Sequence, residues 1–498
     1  MEKRLVLAIA LSLLVLLSWS ALAPKPQLID SKGVVIDKLR VQTPILPQLN
    51  LNPVKEVVKF TQDGRDIIFD PARAAIVEVV FKNKLEHRLA LSIGLLSDEN
   101  NLFKQESLSK EEISFAYQDQ SKRIVKKFII PKDGYTIDLE IQTQNLSSSP
   151  LLLNPQLILG RLDISAKNTQ SRFQDVFLSG KEKAIHISAG KDYSTNDVKF
   201  VGLRDQYFCA ILEPVNVISS AYIKKVSPQE SEVGIFGNEL TLNPGGQIGH
   251  LYHIYLGPQD LKTINNIKPE WSGIIYYGTF DFIAQLLLQL LGFFYSLVHN
   301  WGWAIIILSL SVYLLLFPLS LKQMRSMKEM QTLQPKIEAL RKEFKDNPQR
   351  LNKEIMELYK EHKVNPLGGC LPLLLQMPIF FALYQALIRS VALRGAHFLW
   401  IKDLSSPDKL FTFKDSIPIL GNQVNILPIL MAIGMFVQQK ISMVKATGEA
   451  AQQQKMMSII MPIMFGVIFY QMPSGLVLYW FVNSALMLFY QIRMNRQK

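Results

Sequence analysis

The chain has 498 residues, 48% of them hydrophobic, and a formal net charge of +12. The length exceeds one ordinary domain, and that much apolar surface needs a destination other than a soluble core, so a membrane is expected for part of the chain. Lys and Arg form no stripe on a recognisable nucleic-acid module but cluster beside apolar runs, so they read as topology signals and not as a nucleic-acid surface.

Glu2-Lys3-Arg4 followed by the apolar run Leu5 to Ala23 has the layout of a secretory signal. Ala21-Leu22-Ala23 would suit cleavage, but the run approaches the ~20 residues that cross a bilayer, so residues 1–23 are expected to be an uncleaved anchor. Pro24, Pro26, Pro44, Pro47 and Pro53 mark residues 24–53 as a linker.

Residues 54–270 read as an antiparallel β-sandwich. Tyr135, Ile137, Leu139 and Ile141 alternate with Thr136, Asp138, Glu140 and Gln142, as in a strand with one wet side. Similar patches run from Ala75 to Phe81, Arg123 to Ile130, Gln206 to Leu212 and Leu251 to Leu256, with turns expected at Lys132-Asp133-Gly134 and Asn243-Pro244-Gly245-Gly246. His250 and His253 should point to opposite faces of one strand, and His87 and His186 have no evident partner. No GxSxG, HExxH or P-loop pattern occurs, so neither a metal site nor an enzyme is expected. Cys209 and Cys370 are expected on opposite sides of a membrane and therefore unpaired.

Residues 278–299 are apolar enough to be a span, yet Asp281, Gln285, Gln289, Gly292 and Ser296 recur along one side, so an amphipathic helix in the outer interface is predicted. Spans are expected at 301–319, 367–388, 425–442, 457–471 and 475–492, making six with the anchor. This arrangement puts both termini, the basic segment 320–365, the loop 443–456 and the tail 493–498 in the cytoplasm. The loop 389–424 is then periplasmic, and it too carries Arg394, Lys402, Lys409 and Lys414.

Within 320–365, Met327, Met330, Leu333, Ile337, Leu340 and Phe344 repeat at helical steps, and Leu351, Ile355 and Leu358 follow Asp346-Asn347-Pro348. A cytoplasmic helical hairpin is predicted, with Pro335 kinking or breaking its first arm.

Asn300-Trp-Gly-Trp-Ala-Ile-Ile, Leu316-Phe-Pro-Leu319, Val364-Asn-Pro-Leu-Gly-Gly-Cys370, Gln376-Met-Pro-Ile-Phe380 and Pro473-Ser-Gly-Leu-Val-Leu-Tyr479 resemble the signature segments of the YidC/Oxa/Alb membrane protein insertases. The resemblance covers about Gly278 to Arg493, and Asp205-Gln-Tyr-Phe208 with Tyr255-Leu-Gly-Pro258 resembles the Gram-negative form with its large periplasmic domain. It implies a polytopic α-helical inner-membrane protein whose five-helix core encloses a polar groove open to the cytoplasm and lipid but closed toward the outside, without cofactor or nucleotide hydrolysis. The implied partners are nascent membrane proteins, the Sec translocon, and the ribosome and signal-recognition-particle pathway through the hairpin and loops.

Polar residues inside the spans are the candidate groove and substrate contacts: Ser309, Ser311 and Tyr313, then Gln376 and Gln385, then Asn483 and Ser484, with the aromatic pair Tyr479 and Trp480. Taken singly, each also reads as a helix–helix hydrogen bond or packing residue. Where the family usually carries a groove arginine, this chain has Ser311-Val312-Tyr313-Leu314, and a tyrosine hydroxyl cannot attract an acidic tail by full charge. A secondary transporter or channel is the rival reading, weakened because the mapped spans lack Asp, Glu and His and no inverted repeat is evident.

Overall fold

The computed structural model describes residues 56–496, apart from 63, 83–84, 98–101, 133, 166–170, 181–183, 189, 217–218, 345–346, 363, 365–370, 418–420 and 443–448. The anchor, the linker and Cys370 therefore lie outside the described residues. The chain divides into two units, Met1–Thr279 and Phe280–Lys498.

Antiparallel sheets build the first unit. A nine-stranded sheet runs, in spatial order, through Ala184–Ser188, Asp175–Gly180, Val198–Arg204, Phe208–Pro214, Gln247–Pro258, Thr136–Asn145, Lys122–Ile129, Glu112–Gln118 and Lys104–Leu108. A sequential meander, Val58–Gln62, Arg65–Asp70, Ala75–Phe81 and His87–Gly94, forms a second sheet. A third joins Gln156–Asp163, Glu230–Gly237, Ser219–Ser227 and Tyr193–Thr195. Phe69 of the meander meets Phe115 and Phe128 of the large sheet at ring distances of 5.7 and 5.1 Å, which is where two inner faces close into a core.

The alternation from Tyr135 onward is realised in Thr136–Asn145, where Ile137, Leu139 and Ile141 are buried and their neighbours face outward. His250 pairs in register with Ile141 and His253 with Asp138, so the two histidines occupy opposite faces, and His253 Nδ1 lies 2.7 Å from the Asp138 carboxylate. The expectation that His87 and His186 lack partners is corrected. His87 Nε2 sits 2.7 Å from Asp205 Oδ2 and stacks on Phe208, while His186 Nε2 lies 3.1 Å from the Gly273 carbonyl and its ring lies on Tyr276. Both contacts join segments distant in sequence, which local spacing cannot reveal.

Helix α1 (Leu261–Ile267) starts on Asp260, whose carboxylate accepts from Thr263 N, and it leads into a 3₁₀ turn at Pro269–Ile274. Trp271 is buried, and its indole N–H donates to Glu213 at 2.7 Å. Buried Arg204 donates to the carbonyls of Ile274 and Tyr276 and pairs with Asp175. Burial pushes the Asp175 carboxyl up, but Arg204 and His186 more than offset this and hold it well below the usual carboxylate range.

The second unit is helical: α2 (Asp281–Val298), α3 (Trp301–Glu343), α4 (Pro348–Glu361), α5 (Leu371–Ile388), α6 (Ile426–Ser442), α7 (Glu449–Phe469) and α8 (Ser474–Arg496). His299, left-handed at φ 51°, ends α2, and Asn300 starts α3 by accepting from Gly302 N and Trp303 N. Stacking of Tyr295 on Trp301 at 4.0 Å closes this two-residue turn.

By length and composition, Asp281–Val298, Trp301–Leu321 and Ser474–Arg493 are long and apolar enough to cross a membrane; Gln376–Ile388, Ile426–Ile441 and Ser458–Phe469 are apolar but shorter. Pro335 does not break α3, which continues through both Pro318 and Pro335. Pro335 is exposed, so water can satisfy the carbonyl its missing N–H leaves open. On either side of it, Leu333 and Ile337 bury against Val364, with Met330, Ile355, Leu358 and Tyr359 packed around them, so α4 folds back on the end of α3.

Candidate functional site

Within the second unit, polar side chains interrupt helices that are otherwise apolar. In α3, Ser309 and Tyr313 are four residues apart and share a face with Phe317, whereas Ser311 falls on nearly the opposite side. The hydroxyls of Ser309 and Ser311 donate back to Ile305 O and Ile307 O at 2.7 and 2.8 Å, which satisfies each within its own helix. Tyr313 differs. Its hydroxyl oxygen is buried and has no hydrogen-bond partner among the described residues.

Helix α8 presents Tyr479, Asn483 and Tyr490 along one face. The Tyr479 hydroxyl accepts from Gln376 Nε2 of α5 at 2.9 Å, and Asn483 Nδ2 donates to Tyr479 O at 2.9 Å. Farther along, Tyr490 meets Phe317 of α3 edge-on at 5.0 Å, and Phe317 in turn contacts Tyr313. From Tyr479 to Tyr490 this strip extends about 16 Å along the helix axis.

The sequence-selected residues therefore divide. Ser309, Tyr313, Gln376, Tyr479 and Asn483 belong to connected faces of α3, α5 and α8. Gln385 lies half a turn round α5 from Gln376, and Ser484 turns away from the Tyr479 face. Trp480 packs among Phe380 of α5 and Phe465 and Phe469 of α7, at 5.4, 5.8 and 5.3 Å.

Two profiles match the chain: "60Kd inner membrane protein" over residues 293–498 and "YidC periplasmic domain" over residues 90–290. A protein of Geotalea daltonii named membrane protein insertase YidC is 32% identical over 100% of this chain and 99% of its own length. The chain belongs to the YidC family. Another YidC, from Syntrophobacter fumaroxidans, is 36% identical over 77% of this chain and 70% of its own length. A crystal structure titled as an active YidC insertase with its first transmembrane domain resolved covers 88% of this chain and 92% of its own, at 19% identity and a TM-score of 0.42.

The YidC-like motifs of the first unit also meet in space. Phe208 pairs in register with Pro258, Asp205 Oδ1 accepts from the N–H groups of Tyr207 and Phe208, and Gln259 Nε2 donates to Asp205 O and Phe208 O. These residues build a tight turn and its lock, a structural role. Sequence reading missed the polar residues at the helix ends, above all Asp408 and Asn425. Asn425 directly before the apolar run at Ile426 is a helix-start signal, but nothing local marks Asp408.

Proposed function

We propose that this chain inserts newly made membrane proteins into a bacterial inner membrane and helps them fold, using the polar strip on α3, α5 and α8 as part of a hydrated groove. The carrying observation is that strip: Gln376, Tyr479, Asn483 and the Tyr313 hydroxyl, which has no partner among the described residues, lie in helices otherwise built for lipid. Moving a charged residue to mid-bilayer costs on the order of 2.5 to 3.5 kcal/mol, so a wet path part-way through lowers the barrier for a hydrophilic tail. The full-length insertase relatives favour this over a secondary transporter or channel.

In this reading the chain has six spans, cytoplasmic termini, a periplasmic sandwich and no catalytic chemistry. The end of α3 with α4 is a cytoplasmic hairpin that meets ribosomes and targeting factors, and the Sec translocon is a further partner. The faces of α2 support an interfacial position. Ala284, Leu287 and Leu291 are buried, Phe282, Leu286, Leu290, Phe293 and Leu297 are exposed and apolar, and Asp281, Gln285, Gln289 and Ser296 form a third, polar stripe. Such a helix suits a boundary where protein, lipid and water meet.

The test is reconstitution in proteoliposomes with a small single-spanning substrate, scored for protease-protected insertion beside small-solute flux, with photocrosslinkers at Tyr313, Gln376 and Trp480. Insertion above empty liposomes with crosslinks from Tyr313 or Gln376 is expected. Solute flux without insertion would replace the reading with the transporter one.

A further inference from the structure

Helix α6 fixes how deep the loop before it lies. Its 17 residues make about 26 Å of helix, short of the ~30 Å hydrocarbon core of a bilayer. Ile429, Leu430, Ile433, Phe436 and Val437 give it an exposed apolar face. As a span, α6 has no spare length with which to hold its first turn clear of the lipid. That turn is tied to the preceding loop: buried Asp408 accepts from Ile426 N and Leu427 N at 2.9 and 3.0 Å, and Leu410 N donates to Val424 O at 2.9 Å. Residues 409–413 therefore lie at the edge of the hydrocarbon region, where the headgroup layer is only about 5 to 7 Å deep.

What the loop exposes there is apolar. Strand Phe411–Ile417 pairs with Gly421–Val424 as a separate two-stranded sheet, with Phe411 opposite Val424 and Thr412 opposite Gln423. Phe411 and Phe413 share one face and are both exposed, while Thr412 is on the other. Two strands alone are marginally stable in water, so an apolar face on them calls for a cover.

Leu399 repeats the pattern. Phe398 and Ile401 bridge a two-residue turn in which Leu399 takes φ 50°, a position that favours glycine or asparagine, yet this leucine is 73% exposed. In water it would be strained with nothing gained. Phe398 fixes the turn beside α3, lying so close over Gly302 that a Cβ there would overlap its ring and meeting Trp303, itself exposed, edge-on at 5.6 Å. The Trp400 indole N–H donates to Asp408 at 3.2 Å, which joins this turn to the start of α6.

Cations flank both apolar tips. Lys402 and Lys409 are exposed, and neither has a carboxylate partner among the described residues. Apolar tips beside long cationic side chains suit the boundary where hydrocarbon and phosphate lie within a few Å of each other. Continuity of the tips with the exposed row of α6 and with Trp303 selects the bilayer over a protein partner. We propose that residues 398–413 anchor the start of α6 in the nearer leaflet, the outer one in the proposed topology. Leu399, Phe411 and Phe413 enter the acyl boundary, and Lys402 and Lys409 bind phospholipid phosphates. The inference rests on the membrane-spanning reading and adds a lipid-binding surface outside the groove.

The test uses the full-length chain with Cys209→Ala and Cys370→Ser, in vesicles of phosphatidylethanolamine and phosphatidylglycerol. Single variants Leu399→Cys, Phe411→Cys, Thr412→Cys, Phe413→Cys and Ile433→Cys, all at exposed positions, carry a nitroxide. Its collisions with oxygen, which concentrates in lipid, are compared with those of a water-soluble nickel chelate. Oxygen should dominate at Leu399, Phe411, Phe413 and the mid-helix control Ile433, and nickel at Thr412. Lys402→Glu with Lys409→Glu should shift the label at Phe413 several-fold toward nickel.

Nickel dominating at Leu399, Phe411 and Phe413 while Ile433 stays in lipid would overturn the anchor and leave the span intact. Labels at Phe411 and Phe413 shielded from both reagents would show a protein cover and equally overturn it. An unchanged ratio in the double lysine variant would remove the phosphates from the proposal. Nickel dominating at Ile433 as well would instead count against the membrane-spanning reading of α6.

Discussion

The side-chain amide of Gln376 donates to the Tyr479 hydroxyl at 2.9 Å, a hydrogen bond between α5 and α8 in the stretch where both are apolar. Tyr479 is fully buried, so its hydroxyl has little access to water as an alternative partner. Such bonds in membrane bundles are worth about 0.6 kcal/mol on average in double-mutant cycles, with a maximum near 1.7. Gln376→Leu, Tyr479→Phe and the double variant should therefore show a coupling of about 0.5 to 1.5 kcal/mol in reversible unfolding in detergent. Strictly additive single effects would dismiss the bond as a stabilising link.

Gly302→Ala sets two effects against each other. Alanine gains roughly 1 kcal/mol of helix propensity over glycine, while overpacking a filled site costs about 1 to 3 kcal/mol. Because the new Cβ would overlap the Phe398 ring, the second effect should win and the melting temperature should fall. In a Phe398→Leu background the same change should become neutral or stabilising. A fall of equal size in both backgrounds would mean that the ring is not what restricts position 302.

These contacts also mark the limit of what the sequence discloses. The period of two in Thr136–Asn145 is legible because one residue in two meets the core, and the tripartite pattern of α2 is legible because its polar residues recur every three or four positions. Ser309, Tyr313 and Gln376 stand out because polar groups in apolar runs need an explanation. His87 with Asp205, Phe398 on Gly302 and Asp408 below Ile426 are pairings across distant segments, fixed by tertiary packing, and no local pattern encodes them. Pro335 misleads for the opposite reason: the local rule against proline is sound, but an exposed helix lets water absorb its consequence.

Arg204 links sandwich stability to pH. Removing one partner of a buried pair leaves an uncompensated charge and costs about 3 to 5 kcal/mol, so Arg204→Met should sharply raise hydrogen exchange in Val198–Arg204 and in residues 269–277 at pH 7. Asp175 titrates below its unfolded value in the native protein, so its contribution is fully present above about pH 4 and is lost as pH falls through the lower folded value. The gap between parent and variant should therefore narrow below pH 4. A gap independent of pH would assign the effect to packing alone.

By the sequence resemblance Tyr313 stands where a charged groove residue is expected, and its hydroxyl is buried with no hydrogen-bond partner among the described residues. An unpartnered buried hydroxyl adds nothing to stability, so Tyr313→Phe should leave the melting temperature unchanged or raise it slightly. Any loss of insertion in that variant would then report on substrate contact and not on folding. Tyrosine carries no charge with which to draw in an acidic tail, so insertion of substrates matched except for acidic or neutral tails should differ less than about twofold in the unmodified protein. Tyr313→Arg adds that attraction, and even 1.4 kcal/mol of it would favour the acidic tail about tenfold. If the unmodified protein already inserts acidic tails with strong preference, capture in this groove depends on a charge elsewhere, and the account of Tyr313 as an uncharged replacement fails.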